Sequence, residues 1–230
     1  MTTGTKHKDT DKDTVRNYFN SVGFDRWKRI YGSGDVSKVQ KDIRIGHQQT
    51  VDKVVDWLKG NGDIANSKIC DAGCGVGSLS FPLAIAGAEV YGSDISEKMV
   101  QEAKSRATDQ SNPRFSVSDL ETLAGDYDTV ICLDVLIHYP LVEVEAMIKH
   151  LASLAKSKFI LSFAPSTPYL DWLKKVGEFF PGASKATRAY LHSEAEIRNM
   201  LARADFLVNY ETMTSTRFYF SKLLVATRRK

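Results

Sequence analysis

A short apolar segment that runs into a glycine-rich loop constrains this chain more than any other feature. Residues 68–78 read KICDAGCGVGS: a strand pattern delivers an acidic residue, three glycines follow at alternate positions, and a helical pattern begins. Glycine adopts positive φ and lets the backbone approach a ligand closely. In open α/β sheets, ligands bind in the crevice at the carboxyl ends of the strands. The segment therefore predicts a cofactor loop between a strand and a helix.

The chemistry of this loop favours a cationic cofactor over a phosphate. A pyrophosphate loop would read G-x-G-x-x-G, but Ser78 occupies the sixth position counted from Gly73, and the Asp71 carboxylate would repel phosphates. S-adenosylmethionine (SAM) carries an ammonium and a sulfonium but no phosphate, and DAGCGVG resembles motif I of the class I methyltransferases. The alternative is a tight turn that binds no ligand.

Composition excludes several classes of protein. The 230 residues carry a net charge of +3 with 43% hydrophobic and 26% charged residues, which is ordinary for a globular protein and gives no sign of a nucleic-acid partner. No apolar run approaches the roughly 18 residues of a membrane span. Three cysteines without a C-x-x-C pair argue against disulfides and a zinc site. We expect a cytoplasmic protein without metal ligands, and a disordered tail over residues 1–13.

Strand and helix patterns alternate through the middle of the chain. Strand patterns fall at 68–71, 89–94, 114–118, 128–133 and 158–163, with helical patterns at 78–85, 97–107 and 141–155. This alternation predicts a parallel sheet with helices on both faces. A capping-box sequence at 193–196 predicts a helix to residue 204, and segments 206–212 and 217–227 predict a terminal hairpin. The methyltransferase resemblance implies a Rossmann-like α/β fold, with seven mostly parallel strands ordered 3-2-1-4-5-7-6 and the last strand antiparallel.

Two segments fall outside this alternation. Helical patterns over 14–31 and 36–58 indicate an N-terminal helical arm, residues 14–60, ahead of a methyltransferase core at 61–230. Residues 166–192 are rich in aromatic and basic side chains, and we interpret them as a helical lid. Between residues 14 and 45, seven basic residues face three acidic ones. An anionic acceptor with a flat apolar body would match the arm; the alternative is that its aromatics pack on the core and its cations are solvated.

Acidic residues at successive strand ends complete the predicted cofactor site. Asp94 ends the second strand seventeen positions after Gly77, near the spacing at which an acidic residue meets ribose hydroxyls; capping of the helix after Ser96 is its alternative role. The methyltransferase resemblance assigns the carboxylate of Asp119 to the adenine amino group and its apolar neighbour Leu120 to the adenine ring, and we hypothesise that Arg44 pairs with the methionine carboxylate. The predicted cofactor-binding residues are Asp71, Gly73, Cys74, Gly75, Asp94, Ile95, Asp119, Leu120, Leu133 and Arg44.

Four longer motifs resemble one family. They are RNYFNSVGFDRWKRIYG at 16–32, QKDIRIGHQQT at 40–50, CLDVLIHYP at 132–140 and FAPSTPY at 163–169. They resemble the magnesium protoporphyrin IX O-methyltransferases, and the arm motif is the most discriminating because the shared fold does not require it. The resemblance implies methyl transfer from SAM to one propionate of magnesium protoporphyrin IX, giving the monomethyl ester and S-adenosylhomocysteine (SAH). It also implies docking with the magnesium chelatase and peripheral association with the thylakoid membrane.

The resemblance places the reacting centre at the end of the fourth strand, where the backbone of Leu133, with Asp134 and His138, lines it. A propionate is already ionised at neutral pH, so we expect His138 to orient the carboxylate, or to take its proton if burial raises the pKa. A supporting hydrogen bond behind the site is the alternative role for His138. Tyr31 is the second catalytic candidate, with a hydroxyl that fixes substrate or cofactor. No other group that titrates near neutral pH is expected there, since His47 is assigned to the helix before the core.

Three other functions stay open at this point. Another O-methyltransferase of the same fold, with a quinone or polyketide acceptor, would need a base that faces a phenol. A nicotinamide-dependent dehydrogenase is disfavoured by Ser78 and Asp71. A tetrapyrrole-binding protein without turnover would share the fold and the ligands, because function depends on the site and not on the fold.

Overall fold

One mixed sheet organises the computed structural model, which describes residues 11–109, 111–168 and 189–229. Within those ranges the strands are β1 (Lys68–Ala72), β2 (Glu89–Asp94), β3 (Arg114–Val117), β4 (Tyr127–Cys132), β5 (Ala155–Phe163), β6 (Phe206–Ser215) and β7 (Phe220–Arg228). Their order, β3-β2-β1-β4-β5-β7-β6, confirms the expected topology. β1 to β5 pair in parallel, and β7 runs antiparallel to both β5 and β6. The carboxyl ends of β1, β2 and β4 therefore meet at one edge.

Helices cover both faces of this sheet. In the described parts of the chain they are α1 (Asp11–Phe19), α2 (Val22–Ile30), α3 (Lys38–Gly60), α4 (Ser80–Ile85), α5 (Glu97–Arg106), α6 (Leu141–Leu154) and α7 (Glu194–Arg203). Alternate strand residues point to opposite faces. Val130 and Cys132 of β4 accordingly pack in the core cluster under α6 and α7, whereas Ile131 packs in the cluster under α3 and α4.

Helix starts agree with the sequence in one case and differ in another. Ser96 caps α5 as expected, because its Oγ accepts a hydrogen bond from the Met99 N–H at 3.2 Å. Ser193 stands at the N-cap of α7, but its side chain makes no capping hydrogen bond, so the predicted capping box is wrong. The acidic first turn of α7 pairs with cations instead, since Glu194 contacts Arg198 and Lys222.

The helices before β1 lie across the carboxyl edge of the sheet. α2 contacts α1, α3 and α5, and α3 contacts β6 and β7. A 2.7 Å ion pair between Lys28 and Glu102 joins α2 to α5, and the Asn20 side chain accepts a 2.8 Å hydrogen bond from Ser96 Oγ. These contacts place the aromatic residues of α1 and α2 opposite the glycine loop.

Some expectations about the ends and inserts differ from the structure or lie outside it. α1 begins at Asp11, so residues 11–13 of the predicted tail are helical. Residues 1–10 lie outside the described residues, and so do residues 169–188 of the predicted lid. The division into tail, arm, core and lid stays a prediction. None of the helices described here combines the length and the apolar character needed to cross a bilayer.

Candidate active site

A cavity of about 280 Å³ lies between α1 to α3 and the carboxyl edge of the sheet. Its lining brings together most of the residues that the sequence singled out: Tyr31, Gly73, Cys74, Gly75, Asp94, Ile95, Leu120, Leu133 and His138. Three predicted residues, Asp71, Asp119 and Arg44, are not part of the lining. The cavity is therefore the predicted site, with a different set of polar groups around it.

The glycine loop forms the sheet side of this cavity. Gly73 and Gly75 adopt φ values of +84° and +53°, and a Cβ on Gly73 would overlap Val135. A Cβ on Gly75 would meet no atom within 4 Å. The N–H groups of Gly73 and Cys74 donate to the Ser93 carbonyl at 2.7 and 2.9 Å. The loop is thus held from below and leaves room for a ligand above Gly75.

Asp94 holds the glycine loop by a hydrogen bond and lines the cavity. Its Oδ2 accepts from the Gly75 N–H at 2.9 Å, and its Oδ1 accepts from the Ser96 N–H at 2.8 Å. Burial raises the pKa of Asp94, and these two hydrogen bonds oppose that shift. Each carboxylate oxygen can accept a further hydrogen bond. The capping role and the role as a hydroxyl acceptor are therefore compatible.

Asp71 lies beneath the loop and not in the cavity. It is 2% exposed, and its Oδ2 accepts a 2.5 Å hydrogen bond from Ser80 Oγ. Burial raises the pKa of Asp71 to about 6, which the Ser80 hydrogen bond only partly offsets. Asp71 does not line the cavity, so its expected contact with the cofactor stays a prediction, and its charge would act on a bound cation across the loop.

Asp119 is turned toward the arm. Lys12 approaches one carboxylate oxygen at 3.0 Å and Arg16 approaches the same oxygen at 3.9 Å, while the other oxygen accepts from the Glu121 N–H at 3.0 Å. Its neighbour Leu120 does line the cavity. Leu120 therefore faces the cavity whereas Asp119 is engaged with the arm, and the adenine role of both residues stays a prediction.

Arg44 caps a helix instead of lining the cavity. Its guanidinium donates to the carbonyls of Ile30 and Arg29 at 2.7 Å each and to the Gly34 carbonyl at 3.0 Å. The last carbonyls of a helix lack intrahelical partners and carry partial negative charge, so they attract a cation. The structure thus corrects the expected pairing with a methionine carboxylate.

Asp134 anchors a network that the sequence did not reveal. Its Oδ2 accepts from His47 Nδ1 at 2.9 Å and from the Tyr219 hydroxyl at 2.6 Å, and its Oδ1 accepts from the hydroxyls of Ser162 and Ser221 at 2.8 and 2.9 Å. Burial alone would raise the pKa of Asp134, but the His47, Tyr219 and Ser162 hydrogen bonds outweigh it and hold the pKa below its usual range. Asp134 is therefore an ionised, acceptor-only group.

The expectation that His47 stands away from the site is wrong. His47 lines the cavity, and because its Asp134 partner only accepts, the proton is assigned to Nδ1 and the lone pair of a neutral ring to Nε2. Helical spacing could have found it, since His47 shares a face with the fully buried Val51, Val54 and Leu58 at i+4, i+7 and i+11. No comparable signal marks Tyr219.

His138 lines the cavity and has one ring nitrogen without a partner among the described residues. It ends a short 3-10 turn, Leu136–His138, after β4, and its buried Nδ1 has no hydrogen-bond partner in the described part of the chain. Burial lowers the pKa of His138 to about 4, although the charge of Asp134 opposes the shift. The Phe19 ring stands edge-on at 5.2 Å between centroids. His138 is therefore a neutral imidazole at physiological pH.

Tyr31 faces the same space from the arm. Its ring stacks on Trp27 at 5.4 Å between centroids and lies 4.6 Å from the His47 ring. Burial, with the nearby charges of Asp134 and Asp94, raises the pKa of Tyr31, so its hydroxyl stays protonated and can donate. A phenol donor and a neutral imidazole thus line one cavity.

The basic surface of the arm is largely engaged. Lys28 pairs with Glu102, Arg16 pairs with Asp13 at 2.8 Å, and Arg44 caps α2. Arg26 differs, because it lines the cavity. Several cations of the arm are thus paired within the protein, whereas its aromatic side chains and Arg26 face the cavity, and recognition of an anionic acceptor stays a prediction.

Comparison with known sequences relates this chain to methyltransferases. Residues 132–228 match the sequence model described as the magnesium-protoporphyrin IX methyltransferase C-terminus, and residues 69–158 match a methyltransferase domain. A ubiquinone biosynthesis O-methyltransferase of Dechloromonas aromatica is 36% identical over 91 residues, which is 37% of this chain and 39% of that protein. The quinone enzymes therefore resemble only part of the chain.

Full-length relatives and solved structures agree with each other. The magnesium-protoporphyrin O-methyltransferase of Synechocystis sp. is 62% identical and covers 95% of this chain and 96% of its own length. The chloroplastic magnesium protoporphyrin IX methyltransferase of Arabidopsis thaliana is 54% identical over 94% of this chain and 71% of its own. The Synechocystis PCC 6803 crystal structure with bound SAH superposes with a TM-score of 0.88 at 60% identity, covering 95% of this chain and 100% of that one. The chain belongs to the magnesium-protoporphyrin O-methyltransferase family.

Proposed function

We propose that this chain transfers the methyl group of SAM to one propionate carboxylate of magnesium protoporphyrin IX. The observation that carries the proposal is the neutral, buried His138, which lines the same cavity as the glycine loop and Tyr31 and whose Nδ1 has no hydrogen-bond partner among the described residues. The 62% identity to a magnesium-protoporphyrin O-methyltransferase supports this acceptor over a quinone.

The residues of the cavity fit SAM. The open space above Gly75 accommodates a ligand at the backbone, Asp94 retains acceptor capacity for hydroxyls, and Ile95 and Leu120 supply apolar surface for a flat ring. When bound, SAM supplies an electrophilic methyl group on a sulfonium. The buried Asp71 carboxylate adds negative potential under the loop that favours this cation. A role for Asp119 at the adenine amino group stays a prediction.

The acceptor needs positioning more than it needs a base. A propionate has a pKa of about 4 to 5, so it is an anion and a nucleophile at neutral pH. His138, with a pKa of about 4, has no greater affinity for the proton than that propionate. We therefore favour a role for His138 in orienting the propionate over a role in removing its proton. In this role the Nδ1–H group of His138 donates a hydrogen bond to one carboxylate oxygen. The Tyr31 hydroxyl is the second donor.

Enclosure of the reactants by the protein also accelerates the transfer. Aromatic rings of the arm, among them Phe19, Trp27 and Tyr31, cover the cavity from the side opposite the sheet. Excluding water removes the hydration shell that weakens a carboxylate nucleophile, and holding the reactants together removes the entropic cost of their encounter.

The decisive experiment is a transfer assay with SAM labelled in its methyl group. We expect the label to appear in the monomethyl ester of magnesium protoporphyrin IX, and not in a quinol offered at the same concentration. Quenching of Trp27 fluorescence by the porphyrin reports binding independently. Binding without labelled product would leave the tetrapyrrole-binding alternative, and labelled quinol would favour the other O-methyltransferases.

Two further parts of the proposal rest on the family resemblance. They are a cytoplasmic location peripheral to the thylakoid membrane and docking with the magnesium chelatase. Co-sedimentation with thylakoid lipid vesicles, with and without added chelatase subunits, tests both. Recovery of the protein in the supernatant under both conditions would contradict them.

A further inference from the structure

Arg26 is a half-buried cation on the wall of the cavity. No described residue accepts a hydrogen bond from its guanidinium or forms an ion pair with it, and its recorded contact is with the Trp27 ring, whose centroid lies 5.9 Å away. Desolvating a charge without a partner is unfavourable, so such a cation is suited to an anionic ligand. Lys28 and Arg44, by contrast, are fully engaged within the fold.

The neighbouring residue adds a second donor without an acceptor. Trp27 Nε1 is buried and has no hydrogen-bond partner among the residues that the structure describes, and Trp27 also lines the cavity. An indole nitrogen can only donate. Both residues line the cavity and carry a donor without a described acceptor, but protein atoms cover the Trp27 nitrogen. The charged guanidinium of Arg26 is therefore the donor that suits a carboxylate ligand.

This pair of donors stands apart from the reacting centre. The Trp27 and Phe19 ring centroids are 6.3 Å apart, and Phe19 in turn contacts His138 at 5.2 Å. Phe19 thus separates the donors of α2 from the imidazole. A ligand with one carboxylate at His138 and a second at Arg26 would place the edge that carries both carboxylates beside Phe19. Magnesium protoporphyrin IX has two propionates, of which one reacts.

We propose that Arg26 binds the propionate that is not methylated and makes the enzyme selective for dicarboxylate acceptors. This inference rests on the proposed function, since it concerns the second carboxylate of the same substrate. Arg26 is a specificity-determining residue here: it holds the second carboxylate of the acceptor and takes no part in the transfer.

The test compares two acceptors on three proteins. The acceptors are magnesium protoporphyrin IX and an analogue in which one propionate is replaced by a neutral ethyl group. The proteins are the wild type, Arg26→Gln, and Arg29→Gln, a control that removes the same charge from an exposed position of α2 outside the cavity. The KM, the kcat and the Kd of each porphyrin in the presence of SAH are measured.

The expected result is a loss that depends on the second carboxylate. A charge-assisted hydrogen bond contributes about 1.5 to 3 kcal/mol, so Arg26→Gln should raise the KM and Kd of the dicarboxylate roughly 10- to 100-fold. The kcat and the SAH affinity should stay near the wild-type values, and the analogue should bind both proteins equally. Arg26→Lys should restore part of the affinity, and Arg29→Gln should change nothing.

Two results would overturn the inference. One is an unchanged Kd of the dicarboxylate in Arg26→Gln, and the other is an equal loss for dicarboxylate and analogue, which would indicate a structural role. The proposed function fails separately, and only if the wild type itself methylates neither acceptor.

Discussion

On the sheet side of the cavity, two carboxylates are held by hydrogen bonds from the protein itself, whereas on the arm side two donors of α2 have no acceptor among the described residues. Asp134 receives four hydrogen bonds and Asp94 two, so both carboxylates are fixed before anything binds. Arg26 and Trp27 Nε1 on α2 have no acceptor in the described ranges. His138 is the exception on the sheet side. The difference indicates that the sheet preorganises the cofactor site and that the arm recognises the acceptor.

The largest loss of activity should follow substitution of His138. We expect His138→Ala to lower kcat on the order of a thousandfold, because a correctly placed donor or base contributes about 10²- to 10⁴-fold. The Kd of SAH should not change. His150→Ala is the matched control, since His150 bonds the Leu123 carbonyl at 2.8 Å away from the cavity. A kcat within threefold of the wild type would remove His138 from the mechanism.

Substitutions on the sheet side should weaken the binding of the cofactor. Gly73→Ala puts a Cβ against Val135 at a φ of +84°, so the loop must shift. Overpacking costs about 1 to 3 kcal/mol and positive φ about 1 more, which together correspond to a roughly 100-fold weaker Kd for SAH. Gly62→Ala is the control, because φ is +70° there and a Cβ meets no atom within 4 Å. Equal affinities in the two variants would show that the loop does not hold the cofactor.

Substitutions on the arm side should leave the cofactor affinity unchanged. Tyr31→Phe removes one hydroxyl donor and keeps the ring stacked on Trp27. One lost hydrogen bond of about 1.5 kcal/mol corresponds to a roughly tenfold lower kcat, measured at saturating SAM. If SAH affinity falls by the same factor, the hydroxyl serves the cofactor and the division between the two sides is wrong.

The smallest expected effect is a pH dependence of SAM binding. Because burial raises the pKa of Asp71 to about 6, this carboxylate is protonated below that pH and charged above it. Its charge attracts a cation only when ionised, so SAM should bind about fivefold more tightly at pH 7.5 than at pH 5. Calorimetric titrations with Asp71→Asn should show a flat profile. A wild type that is equally flat would mean that Asp71 does not act through the loop.

The sequence predicted the sheet side far better than the arm side, for a physical reason. The glycine loop, Asp94 and the strand segments follow from local patterns, and the resemblance supplied the strand order. Arg44 and Asp119 lie outside the cavity lining because their partners, the carbonyls that end α2 and Lys12 of α1, depend on how helices pack. Tyr219 reaches Asp134 only because the β6–β7 hairpin pairs β7 with β5, a contact between residues far apart in the chain.

A crystal structure of the protein with SAH and magnesium protoporphyrin IX tests this division most directly. The account expects the nucleoside on the glycine loop, one propionate beside His138 and the sulfur of SAH, and the other propionate at Arg26. A porphyrin bound outside the cavity, or one that turns both propionates away from His138, would contradict it.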